Sequence, residues 1–130
     1  DWAGRIALQG ASLSSPDIMD ADGPFARLAD KVAASRGVLG LFTYPMPDLT
    51  DRLRTFFRLA ADRGLDTDFH ADETMDPGVN TLALIAQVAI EVGFKGRMVA
   101  GHTCSLSAMP EDEALRTLDL VARAGIDIVS

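Results

Sequence analysis

The chain has 130 residues, 48% of them hydrophobic, which suits one domain with a buried core rather than a disordered segment. A formal net charge of −7, with its basic residues scattered, argues against nucleic acid and anionic membrane surfaces as partners, because phosphate binding needs clustered Lys and Arg. No apolar run is long enough to span a bilayer, and the single cysteine, Cys104, excludes an internal disulfide and suits a reducing cytoplasm. The start, Asp1-Trp2-Ala3-Gly4, carries no initiator Met and no signal-like segment, so the chain is expected to be processed or to begin inside a larger protein.

Five short apolar runs read as strands: Arg5 to Ala11, Val38 to Tyr44, Thr67 to Ala71, Met98 to Thr103 and Ile126 to Val129. Helical stretches lie between them. Leu53, Phe56, Phe57 and Ala60 follow i, i+3, i+4, i+7, and Leu115, Leu118 and Val121 repeat every three residues. A glycine stands just before each strand, at Gly4, Gly37, Gly64, Gly93 and Gly125. The last four sit where a left-handed cap closes a helix. Their spacing of roughly thirty residues is the length of one βα unit. Helix starts agree. Asp48 suits a cap, Pro24 and Pro110 suit first-turn positions, and Glu111, Asp112 and Glu113 lie where the helix dipole favours acids.

The order is therefore β-α-β-α-β-α-β-α-β, an α/β chain with a parallel sheet. Two closures are open: a doubly wound sheet of flavodoxin size, or consecutive βα units of a (β/α)8 TIM-type barrel, which needs about 250 residues. Strand chemistry favours the partial barrel. Asp68, His70 and Asp72 alternate onto one face, whereas a central strand of an open sheet is apolar on both. Residues 1–130 then form one α/β segment, an incomplete part of a larger barrel.

The chemistry concentrates at the strand ends. Both histidines of the chain, His70 and His102, end predicted strands, and βα folds bind ligands there. His70 reads either as a metal ligand or as a hydrogen-bonded strand-end residue. Glu73 reads either as a proton shuttle or as the solvated start of a loop. Two histidines do not complete a zinc site, which usually takes three protein ligands; Asp68, Asp72 and Cys104 are the local candidates for more, with Cys104 better read as a small packed residue. Gln9 and Tyr44 are weaker candidates for a polar ring at the strand ends. Asp76-Pro77-Gly78 is a turn. Gly37 to Gly40 has neither the spacing nor the lysine of a phosphate loop, and no serine nucleophile elbow is present.

The segments Phe69-His70-Ala71-Asp72-Glu73, Asp76-Pro77-Gly78 and Gly101-His102-Thr103-Cys104-Ser105-Leu106-Ser107 resemble the cytosine-deaminase-like branch of the amidohydrolase superfamily. By that resemblance the five runs are barrel strands three to seven. It implies that His70 binds one divalent metal ion, zinc or iron. It also implies that Glu73 protonates the substrate's ring nitrogen, that His102 moves the proton of the activated water, and that Asp72 lies beside the site. Gln9 falls near the family's substrate-binding glutamine, although Gln9-Gly10-Ala11-Ser12 departs from the family's pattern. The family's His-x-His pair on strand one and its Asp on strand eight have no counterpart in the chain.

The function implied is a metal-dependent hydrolase of C–N bonds in cyclic amidines or amides, with cytosine-type deamination first and a small N-heterocycle as substrate. The alternative from another class is a non-catalytic five-stranded α/β module that binds a small ligand or a partner. An incomplete barrel exposes apolar strand edges, which favours pairing into homo-oligomers.

Overall fold

A computed structural model describes residues 4–129; Asp1 to Ala3 and Ser130, on which the reading of the terminus rests, lie outside them. Four parallel strands stand side by side in chain order: β1 (Leu39–Thr43), β2 (Thr67–Ala71), β3 (Met98–His102) and β4 (Ile126–Val129). Four helices alternate with them: α1 (Pro24–Ala34), α2 (Leu49–Asp62), α3 (Thr81–Val92) and α4 (Glu111–Ala124). Two short 3-10 turns, Pro16–Ile18 and Cys104–Ser107, complete the order.

One face of the sheet makes the core. Leu39, Leu41, Phe69, Ala71, Met98, Ala100 and Ile126 are buried against the helices. An aromatic cluster ties the layers together: Phe69 lies 5.2 Å from Phe56 and 5.7 Å from Phe57, and Phe57 lies 5.0 Å from Phe94. The opposite face, with Phe42, Asp68, His70, Val99 and Asp127, stays open among the described residues. The chain folds this way because strand residues alternate in polarity, while α2 and α4 each carry a single apolar stripe. Helix α3 is apolar nearly all round because it packs between α2 and α4.

The first expected strand does not form. Ile6 and Leu8 are 54% and 92% exposed, and only two isolated parallel bridges, Ala11 to Val38 and Ser14 to Leu41, join this segment to β1. Between the two bridges the pairing is interrupted at Gly40. Its N–H takes the Ser12 hydroxyl at 3.2 Å in place of a backbone carbonyl, and a Cβ there would lie 1.7 Å from the Ser12 carbonyl oxygen. Left-handed glycines close three helices, at Gly64, Gly93 and Gly125, with φ of 62°, 63° and 73°. At the end of α1 the left-handed residue is Arg36 rather than Gly37, where a side chain would meet the Gly10 carbonyl at 2.8 Å. Asp48 stands at the start of α2, but its carboxylate pairs with Arg52 at 2.8 Å and caps no backbone amide. Pro24 opens α1 as expected, Pro110 sits one place before α4, and the three acids fill the first turn of α4. No helix among the described residues is long and apolar enough to cross a membrane.

Candidate active site

Adjacent parallel strands put their carboxyl ends side by side. In the register of β2 and β3, His70 lies opposite Gly101 and Ala71 opposite His102. A straight continuation would point the two imidazoles to opposite faces, since side chains alternate. The backbone prevents this. His102 and Thr103 both take left-handed conformations, with φ of 71° and 49°, and this turns the His102 ring back over the open face. His102 Nε2 then stands 3.3 Å from His70 Nδ1, with ring centroids 4.9 Å apart. Left-handed backbone in non-glycine residues costs about 1–3 kcal/mol each and gathers at functional sites. The turn is held by the Thr103 N–H, which donates to the Ala71 carbonyl at 2.9 Å, and by the Ser105 N–H, which donates to the Asp72 carbonyl at 3.3 Å.

A carboxylate flanks each imidazole. Asp68 Oδ2 lies 3.9 Å from His70 Nε2, and Glu73 Oε1 lies 3.7 Å from His102 Nδ1. Neither distance is a direct hydrogen bond, and a small side-chain shift would close each. Both imidazoles are 36% exposed, as reacting groups must be. The result is a line of four titratable groups, Asp68, His70, His102 and Glu73, across two strand ends. A line of this kind can hold and pass protons, and its nitrogens can ligate a metal.

Two other expected site residues stand outside this line of four. Asp72 is 3% exposed and has φ of 56°, which swings it off the face shared by Asp68 and His70. Its carboxylate accepts from the Thr81 N–H at 2.9 Å, the Thr81 hydroxyl at 2.6 Å and the Leu82 N–H at 3.0 Å. It therefore anchors the positive end of α3. Gln9 is exposed and reaches the Arg36 carbonyl at the amino end of β1, the opposite end of the sheet from the histidines. Cys104 is half-buried in the turn after His102, with Sγ 3.8 Å from the His102 carbonyl.

Sequence reasoning missed the support behind the site. The Thr43 and Thr81 hydroxyls meet at 2.8 Å, and Asn80 caps α3 while donating to Thr117 at 2.8 Å. The signal was present at Asn80, an Asx residue directly ahead of an apolar run. A hollow of about 750 Å3 between the carboxyl-terminal ends of α2 and α3 opens at the amino side of the strands and is remote from both histidines. A pocket of about 250 Å3 borders Glu73 itself.

His70 and His102 have the donor chemistry of metal ligands, but their number is short. Among the described residues no group of three His, Cys, Asp or Glu side chains converges as a metal site would require.

No family model matches the chain. It is 45% identical over 129 residues, 99% of its length, to a pterin deaminase of Rhizobium rhizogenes. It is 28% identical over 74 residues, 57% of its length, to N-isopropylammelide isopropyl amidohydrolase of a Pseudomonas species, of which it covers 18%. The 5-methylcytosine deaminase of Klebsiella pneumoniae, solved with 5-fluorocytosine, superimposes with a TM-score of 0.76 at 20% identity, covering 98% of this chain and 32% of that one. The chain spans 30% of the length of the pterin deaminase it matches. In these likenesses, and in its paired strand-end histidines, the chain resembles the amidohydrolase superfamily, in its cytosine-deaminase-like branch.

Proposed function

We propose that the protein is a hydrolytic deaminase of an amino-bearing N-heterocycle, built on a (β/α)8 barrel to which this chain contributes consecutive βα units. The strand order β1-β2-β3-β4 supports the barrel, because strands of a barrel follow one another around it with their helices outside. The observation that carries the function is the line Asp68–His70–His102–Glu73 at adjacent carboxyl ends.

Glu73 is the proton donor to the ring nitrogen next to the amino-bearing carbon. Its 58% exposure leaves it free to reach a substrate. His102, between Glu73 and His70, holds and moves the proton released when water adds. Asp68 orients His70. Asp72, which borders the same pocket as Glu73, fixes the strand-to-helix turn from which Glu73 projects. Water adds to the amino-bearing carbon, the carbon–nitrogen bond breaks, and the amino group leaves as ammonia.

One divalent metal ion, zinc or iron, completes the reading; bound there, it supplies a Lewis acid and makes hydroxide available near neutral pH. His70 would hold it, and the remaining ligands come from outside the residues described. The cytosine-first expectation is sharpened by the 45% identity to a pterin deaminase, which puts a pterin first among substrates to test. Hydrolysis of the pterin 2-amino group gives the dioxo product and ammonia.

Ammonia release from pterin and from cytosine, measured on the full-length protein loaded with zinc or with iron, tests the reading. His70→Ala is expected to abolish both stoichiometric metal and ammonia release. A His70→Ala protein that keeps both would sink it.

A further inference from the structure

Pterin carries a second ring fused to the one that reacts, so a pterin deaminase needs room beside Glu73 that a one-ring substrate does not. On the β1 side of the histidine pair the protein has such a place. Phe42 lies opposite His70 in the register of β1 and β2, on the same open face, and is 38% exposed. Its ring stands 5.7 Å from that of Tyr44, tilted by 42°. The Tyr44 hydroxyl donates to Asp17 at 2.5 Å and lies 3.4 Å from the Ser15 hydroxyl, so this ring is fixed before any ligand arrives. The Tyr44 and Ser15 hydroxyls in turn hold the Asp17 carboxyl below the usual carboxylate range. Phe42, Tyr44, Pro45, Asp72, Glu73 and Val79 are among the residues lining the pocket of about 250 Å3. Pockets that take a whole small ligand run from ~300 to 1,000 Å3, so this one is sized for part of a ligand.

We propose that this pocket is the subsite for the second ring of a fused, pteridine-type substrate, with Phe42 and Tyr44 as its aromatic wall. A flat, electron-poor pyrazine ring stacks well on a fixed aromatic surface, and stacking on a single side chain changes the affinity of a base by roughly tenfold or more. Glu73 lines the same pocket, so a ring lodged there brings its fused partner to the proton donor. The proposal rests on the deaminase reading and deepens it.

The probes are pterin and isocytosine, which is the amino-bearing ring of pterin without the second ring. Their binding to the metal-free full-length protein is measured by calorimetry, so that turnover does not intrude. The wild type is expected to bind pterin about tenfold more tightly than isocytosine. Phe42→Ala is expected to cut that preference to about threefold or less while isocytosine affinity stays within about threefold. Should Phe42→Ala fail to fold, Phe42→Leu keeps the apolar bulk without the aromatic face, and a clear loss of preference is again expected. Failure of the wild type to prefer pterin, or an equal loss of affinity for both probes in the variants, overturns the subsite. Ammonia release by the metal-loaded protein is scored separately. A lasting pterin preference without ammonia release removes the deaminase reading and leaves the subsite standing.

Discussion

Phe69 and His70 are consecutive residues of β2, yet they work in different media. Phe69 is fully buried among Phe56, Phe57 and the helices, while the His70 side chain is 36% exposed on the open face beside His102. The helix-covered face is apolar, close-packed and made of side chains in ordinary backbone. The open face is polar and ends in left-handed residues at Asp72, His102 and Thr103. Stability is concentrated on one side of a single sheet and the proposed chemistry on the other, because alternation along a strand lets each residue serve one face only.

The largest expected effect lies on the open face. Glu73→Gln is expected to lower kcat for ammonia release by about 10²–10⁴, the usual contribution of a positioned acid or base, with substrate binding little changed. Steady-state kinetics check this, and a smaller loss would mean that another group delivers the proton.

The two faces are next set against each other by a matched pair of substitutions. Phe69→Ala is expected to cost about 3–5 kcal/mol in chemical denaturation, through lost burial and the cavity left in the aromatic cluster. His70→Ala, measured on chelated protein so that metal affinity adds nothing, is expected to cost less than about 1 kcal/mol. Similar costs at both positions would break the division of labour.

Asp72 lies on the boundary between the faces. Asp72→Asn keeps its shape but cannot accept all three hydrogen bonds from the start of α3, and a cost of about 1–3 kcal/mol is expected. The turnover of folded Asp72→Asn is expected to fall less than that of Glu73→Gln. An equal or greater fall in kcat would give Asp72 a direct part in the chemistry.

The smallest effect belongs to the amino side of the sheet. There the Arg97 side chain and then its backbone N–H hold the Asp66 carboxyl below its usual range. A group whose pKa is lower when folded stabilises the fold above its unfolded pKa. That contribution is lost as the pH falls through the ordinary carboxylate range toward the lower folded value. Arg97 is 81% exposed, so the pair is worth no more than about 1 kcal/mol. Asp66→Asn is expected to flatten the acid limb of a stability–pH profile by that amount and to leave ammonia release unchanged.

Four of the five strands, the alternating helices and three of the glycine caps were legible in the sequence, because hydrophobic period and cap chemistry are local. The strand expected at Arg5 to Ala11 was not, since its apolar residues resemble a strand whatever lies beside them. The pinch of Ser12 against Gly40 depends on a segment nearly thirty residues away. The gathering of the candidate residues was legible in kind. His70, Glu73 and His102 gather because each stands at or just past the carboxyl end of a parallel strand. The face taken by Asp72 and the sheet end taken by Gln9 were not legible, because they are set by backbone φ and by long-range packing, which alternation along a strand does not report.

The sequence by itself determined which residues form β2, β3 and their helices, and that two histidines close adjacent βα units, since period, capping and chain order are carried in neighbouring residues. Only the tertiary structure decided that the two imidazoles meet. That meeting depends on the left-handed backbone at His102 and Thr103, held by hydrogen bonds to Ala71 and Asp72 from a different strand. It also decided that Phe42 and Tyr44 form a wall beside Glu73, because register between β1 and β2 is a property of the assembled sheet.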